Sequence, residues 1–137
     1  MNLYYQKYMA MKIAWKLYGL PYRWGGNDSV GGYDCSGTVI EILQSIGILP
    51  YPGDWSAAGL YDYFETKSIP KAKRGALVFW HNGTKIYHVG FCLNEDLCLQ
   101  ASGGGPTTLT EEDAIKQDAY INVRPIRNAY AFADPFK

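Results

Sequence analysis

Three residues far apart in the chain, Cys35, His88 and Gln100, have the types needed for acyl transfer by a thiol. Cys35 sits in GGYDCSGTV, where a glycine-rich loop gives way to a helix. The free backbone N–H groups of a helix N-terminus favour an anion placed against them. A cysteine there is expected to have its thiolate stabilised and its nucleophilicity raised at neutral pH. The same N–H groups can hold an oxyanion forming beside the sulfur. Cys92 and Cys98 lie mid-strand and read as small apolar residues.

A nucleophilic thiol needs a base, and the chain has only His81 and His88. His81 adjoins the turn-forming Asn82–Gly83 and reads as a surface residue. In IYHVGFC, strict alternation puts Ile86, His88, Gly90 and Cys92 on one face. Tyr87, Val89, Phe91 and Leu93 then form an apolar core face, and Gly90 leaves room for close approach beside the imidazole. A third polar group should accept the other ring N–H of the histidine. If residues 94–96 form a loop, Leu93 pairs with Leu97, and Gln100 stands opposite Gly90, diagonal to His88 and within reach. A slip of one residue would turn Gln100 to the other face. In the chosen register Cys92 faces Cys98, which leaves a metal or disulfide role there as a minor alternative.

These residues need elements to hold them. The spacing of Tyr4, Tyr8, Met11, Trp15 and Tyr18 predicts an N-terminal helix packing that face on the core, stopped by Gly19 with Pro21 beyond it. Residues 20–33, with four glycines and a proline, read as a loop. A helix is expected from Cys35 to about Ile46, with Val39, Ile42, Leu43 and Ile46 inward and Gly47 as its left-handed cap. SAAGLYDYF predicts a short helix capped by Ser56. From Gly75 the pattern turns to strands: GALVFWH, KIYHVGFCL, LCLQAS and, after a helical stretch near 111–118, YINVRPI. Asn82–Gly83 predicts a two-residue hairpin, and Gly103–Gly105 a turn at the edge of the site. Helices first and an antiparallel meander after them give an α+β fold, read as one domain over 1–137.

Composition excludes several other functions. Thirteen basic and thirteen acidic residues leave no net charge, which argues against a non-specific nucleic-acid binder. No apolar run approaches the ~20 residues of a membrane span, so no integral membrane association is expected. No basic start, apolar middle and small-residue cleavage site occur in that order at the N-terminus, so no signal peptide is read. Three cysteines are too few and odd in number for a disulfide framework.

LPYRWGG, DCSGTV, RGALVFW, HVGFCL and LQASGG, in that order over about residues 10–105, resemble the NlpC family of papain-like cell-wall cysteine peptidases. The resemblance implies a compact core of a cysteine-bearing helix packed on a small antiparallel sheet that carries the histidine. It implies hydrolysis of amide bonds in peptidoglycan stem peptides, commonly between D-γ-glutamate and a diamino acid, with no metal or organic cofactor. Cys35 matches the nucleophile and His88 the general base. Gln100 stands where the family usually has a histidine, and can orient the ring without titrating. Tyr22, Asp34 and Ser36, with Trp24 of the same loop motif, match a pocket for the substrate's amino-terminal alanine. There Asp34 would pair with the ammonium and the Tyr22 hydroxyl would bond nearby. Ala76 replaces an acidic residue common in the family's RGALVFW motif. An amidase, transpeptidase or lipid acyltransferase could use the same residues, and a non-catalytic wall-binding or virion module could keep the fold. A wall substrate without an export signal points to a phage-encoded enzyme such as an endolysin, or to an effector exported by a leaderless route. Oligomeric state is not legible in the sequence.

Overall fold

The computed structural model describes residues 2–28 and 32–137. Helix α1 (Leu3–Leu17) opens on Asn2, whose side chain accepts the Tyr5 N–H at 3.0 Å. Gly19, at φ +89°, follows its end. Of the predicted apolar face only Met11 is buried; Tyr4 is 74% exposed and Trp15 54%. The face that enters the core is Ala10, Met11, Ala14 and Leu17. The reason is steric: α1 packs on the helix that follows, and alanines one turn apart let two helices approach closely where rings would hold them off.

The predicted loop over 20–33 contains two short paired strands, β1 (Asn27–Asp28) and β2 (Gly32–Tyr33); residues 29–31 lie outside the described residues. Helix α2 (Cys35–Ser45) follows, with Val39, Ile42 and Leu43 fully buried, Ile46 at its C-cap and Gly47 at φ +78°. Ser56 caps α3 (Ala57–Tyr63) by accepting the Gly59 N–H at 3.0 Å.

The sheet runs β3 (Ser68–Ile69), β8 (Ala131–Ala133), β4 (Leu77–His81), β5 (Ile86–Cys92), β6 (Leu97–Ser102), β7 (Tyr120–Pro125) in spatial order, and its pairs are antiparallel. Helix α4 (Glu111–Gln117) connects β6 to β7. The chain has the α+β architecture its pattern predicts, a four-strand meander under N-terminal helices. Sequence analysis missed β3 and β8, which at two and three residues are too short to show a period.

Helices α2 and α3 cover one face of the sheet over Leu77, Phe79, Val89, Phe91, Leu99 and Ala101, all fully buried. The opposite face holds a smaller cluster of Val78, Trp80, Cys92 and Cys98 under Ile126, Ala129 and Phe132.

The β4–β5 turn corrects two expectations. Strand pairing closes at His81–Ile86, so the loop has four residues rather than two; Asn82 spans it by accepting the Lys85 N–H on its side chain at 3.1 Å. The register then shifts between Trp80, which pairs with His88, and His81, which pairs with Ile86. Tyr87 is the extra residue of a β-bulge, and a bulge breaks strict alternation. Ile86 therefore joins the core and Tyr87 is 52% exposed, the reverse of the predicted assignment. Gly90 is itself buried: a Cβ there would stand 3.3 Å from Val78 Cγ1 and 3.4 Å from Cys98 Sγ, so the space beside it belongs to the core and not to a substrate.

Candidate active site

Asp34 organises the approach to Cys35. As the N-cap of α2 it accepts the Gly37 N–H at 2.6 Å and the Ser36 hydroxyl at 3.3 Å. Its second oxygen accepts the Gly25 N–H at 3.1 Å, and its own N–H donates to Gly26 O at 3.0 Å. The RWGG loop is thereby tied to the first turn of the helix. Gly37 is required by that closeness, because a Cβ would fall 2.1 Å from the Gly26 carbonyl oxygen. On its other side the loop runs beside β7 and the turn before α4, with Tyr22 N–H donating to Ala119 O at 3.1 Å and Trp24 N–H to Thr108 O at 2.7 Å.

Cys35 thus opens α2 and meets β5. The backbone N–H groups of Val89, Ser36 and Cys35 itself point at its sulfur. The Val89 contact places the sulfur beside the residue that follows His88. Burial nevertheless pushes the thiol up to about 11, and the Asp34 carboxylate adds to the rise. Burial also pushes His88 below its ordinary value, against an opposing pull from Gln100. Burial thus favours the thiol form of Cys35 and the neutral form of His88, against the stabilised thiolate expected at a helix N-terminus. Removing the sulfur from water and setting it next to a carboxylate outweigh the N–H groups that favour its charge.

His88 Nε2 is hydrogen-bonded to Gln100 Oε1. An amide oxygen only accepts, so Nε2 carries the proton and Nδ1 is left with a lone pair. The Gln100 amide is itself held, since its Nε2 donates to Cys98 Sγ at 3.4 Å. The pairing of Cys92 with Cys98 and of Phe91 with Leu99 is the register that brings Gln100 to this face. Cys92 and Cys98 are buried free thiols, both pushed up to about 12 by burial.

Cys35 and His88 line one cavity of about 810 Å³. Tyr22, Trp24, Asp34 and Ser36 line it too, so six of the seven predicted site residues meet there. Tyr22 is buried, and its phenol is raised above the ordinary value by burial and by nearby Cys35 and Asp34. Ser36 is buried as well, while Trp24 is half-exposed at the rim. Gln100 lies behind His88 and lines an adjoining cavity. His81 stays outside, accepting the Gly83 N–H at 2.9 Å and stacking on Tyr130 at 4.8 Å.

Sequence reasoning missed Trp80, Asp54 and the structural part of Gly104. Trp80 pairs with His88 across the ladder, its ring centroid 5.1 Å from the imidazole, and it is anchored by donating Nε1–H to Arg127 O at 2.6 Å. A two-residue turn would have put Lys85 opposite Trp80, so only the longer loop reveals the contact. Asp54 lines the cavity near enough to Asp34 to raise it further, beyond the rise that burial causes. Gly104 lies flat on the Tyr22 ring, where a Cβ would come within 2.4 Å of Cδ1.

The sequence profile of the NlpC/P60 family matches residues 19–126. Protein P54 of Enterococcus faecium is 40% identical over 94 residues, covering 67% of this chain and 17% of that protein. The bifunctional muramidase/DL-endopeptidase CwlT of Bacillus subtilis is 33% identical over 100 residues, covering 70% of this chain and 29% of its own. The chain thus spans less than a third of either relative. Among solved structures, the peptidoglycan hydrolase RipB of Mycobacterium tuberculosis superposes with a TM-score of 0.74 at 23% identity, over 99% of this chain and 67% of that one. The matched span takes in the helix that carries Cys35 and the strands that carry His88 and Gln100, and the chain belongs to the NlpC/P60 family.

Proposed function

We propose that the chain is a cysteine peptidase that hydrolyses amide bonds in peptidoglycan stem peptides, with Cys35 as nucleophile, His88 as base and Gln100 as its orienting partner. The observation that carries this reading is the His88–Gln100 hydrogen bond, which leaves Nδ1 unprotonated on a ring that shares a cavity with Cys35. The names of relatives such as CwlT support the substrate class.

In the proposed cycle His88 Nδ1 takes the proton of the Cys35 thiol as the sulfur attacks the scissile carbonyl. A thiol near 11 makes this transfer part of the reaction instead of a resting ion pair. The Cys35 N–H at the start of α2 faces the oxyanion, and water and substrate cannot reorient it. The imidazolium, steadied by Gln100 Oε1, returns its proton to the leaving amine, and water then releases the acyl group from sulfur. The acyl half occupies the larger cavity. Its amino-terminal ammonium lies at the end lined by Asp34 and Asp54, with Tyr22 and Ser36 beside it and Trp24 at the rim. That end selects a free N-terminus, which fits cleavage at a short distance from the start of a stem, at the D-γ-glutamyl–diamino acid bond. The test is digestion of stem peptides with a free amino terminus, followed by mass spectrometry. Wild type should release a dipeptide and Cys35→Ala should release none; equal cleavage by both ends the proposal.

A further inference from the structure

A second cavity, of about 650 Å³, opens on the other side of the imidazole. It shares Tyr87, His88, Ser102 and Gly103 with the first but not Cys35. Its outer wall carries Arg124 and Arg127, and among the described residues no aspartate or glutamate lines it. Among the described residues neither guanidinium meets a carboxylate: the ion pairs there are Lys73–Asp134 and Lys116–Glu112.

The fold holds the backbone of both arginines in place. Arg124 pairs with Cys98 across β6–β7, and Asn122 pairs with Gln100, so Arg124 lies on the sheet face of the imidazole's partner. Arg127 is fixed through its carbonyl, which accepts the Trp80 indole N–H at 2.6 Å while that indole packs on His88. A neighbour of the catalytic ring thus positions the arginine loop.

The chemistry of the proposed cycle sorts the two cavities. The acyl half is bonded to sulfur and stays in the cavity that holds Cys35. The leaving nitrogen receives its proton from His88 Nδ1, on the sulfur's side of the ring, and the rest of the amine half extends from there past the ring. The second cavity meets the first at Tyr87, His88, Ser102 and Gly103, so an amine half that extends past the ring enters it. Planar guanidinium forks without acidic partners match a carboxylate, which they can grip with paired N–H bonds.

We propose that this cavity is the leaving-group subsite, and that Arg124 and Arg127 select an amine half bearing a free carboxylate. This rests on the cysteine peptidase reading and specifies its substrate: the residue after the scissile bond is a diamino acid with an unamidated carboxylate, at its C-terminus or on its side chain. Amidation of that carboxylate weakens the substrate.

The test compares three stem tripeptides with the same acyl half. One carries a diamino dicarboxylic acid with both carboxylates free, one has its C-terminal carboxylate amidated, and one has the side-chain carboxylate amidated. Wild type should lose about tenfold in kcat/KM, mostly through KM, on amidation of whichever carboxylate the arginines hold, a modest factor because both side chains face water. Arg124→Gln/Arg127→Gln should lose the same factor on the free substrate and turn over all three at similar rates. The arm that loses activity identifies the carboxylate source. Equal rates of wild type on all three, or a preference that survives in the double variant, overturns the proposal. Calorimetry separates this result from a failure of the peptidase reading. The free diamino dicarboxylic acid should bind Cys35→Ala and lose about tenfold in affinity when the two arginines are also replaced. Binding that ignores the arginines overturns the subsite even if Cys35 proves to cleave.

Discussion

Replacing Gln100 by leucine removes the acceptor from His88 while keeping a side chain of similar size in a position only 8% exposed. A hydrogen bond to a charged group contributes about 1.5–3 kcal/mol. The charge exists only after the imidazole has taken the proton of Cys35, so the loss falls on the transition state. At about 1.4 kcal/mol per factor of ten, kcat should fall roughly ten- to a hundred-and-fifty-fold, with KM changed far less. The pH profile gives a sharper test. The active form has His88 neutral, so kcat/KM rises with pH through the His88 pKa, below the ordinary 6.5 because the ring is buried. The Gln100 bond favours the protonated ring and raises that pKa. Gln100→Leu should therefore move the acidic limb to lower pH, and Gln100→Glu, which sets a carboxylate against the ring, should move it to higher pH. The assay is cleavage of a stem peptide with a free amino terminus followed by chromatography from pH 4 to 9, with thermal melts showing that both variants fold. An acidic limb that stays in place in both variants, or moves the same way in both, would refute an orienting role for Gln100.

Asp34→Asn keeps the cap of α2 through its amide oxygen, gives up the bond from the Gly25 N–H and removes the anion beside Cys35. Stability should fall by about 1 kcal/mol in denaturant melts, the worth of the lost Gly25 bond, while the pH at which Cys35 is alkylated by iodoacetamide moves lower. In the native wild type, alkylation of Cys35 should climb with pH toward its value of about 11, while Cys92 and Cys98, fully buried, stay unlabelled until the fold is opened with denaturant. Peptide mapping after labelling reads all three thiols. Gly104→Ala should lower kcat/KM at least tenfold, because its Cβ would strike the Tyr22 ring at 2.4 Å, whereas Gly105→Ala, with open space around it, should match wild type in the same cleavage assay.

What could be read from the sequence was whatever local pattern decides. The apolar period of α2 and the stop at Gly47 are short-range, and both stand in the structure. Gln100 was within reach because Asn94, Glu95 and Asp96 confine the β5–β6 loop and so set the register. The α1 face was misread because hydrophobicity favours tyrosine and tryptophan over alanine, while two closely packed helices favour the reverse. The bulge at Tyr87 leaves no mark in residue type, so alternation carried Ile86 to the wrong face and hid Trp80 from His88. The ionisation of Cys35 depends on how deeply α2 and β5 bury the sulfur, which the cap motif alone does not reveal.

The central claim is that Cys35 sulfur carries the acyl half of the substrate between the two proton transfers of His88. Intact-protein mass spectrometry of a digestion of stem peptides with free amino termini, quenched in acid, tests it directly. Wild type should show a fraction of molecules heavier by the acyl half, mapped to the Cys35 peptide, and neither Cys35→Ala nor His88→Ala should show it. Undiminished cleavage with no adduct on Cys35, or an adduct that persists in Cys35→Ala, would contradict the account.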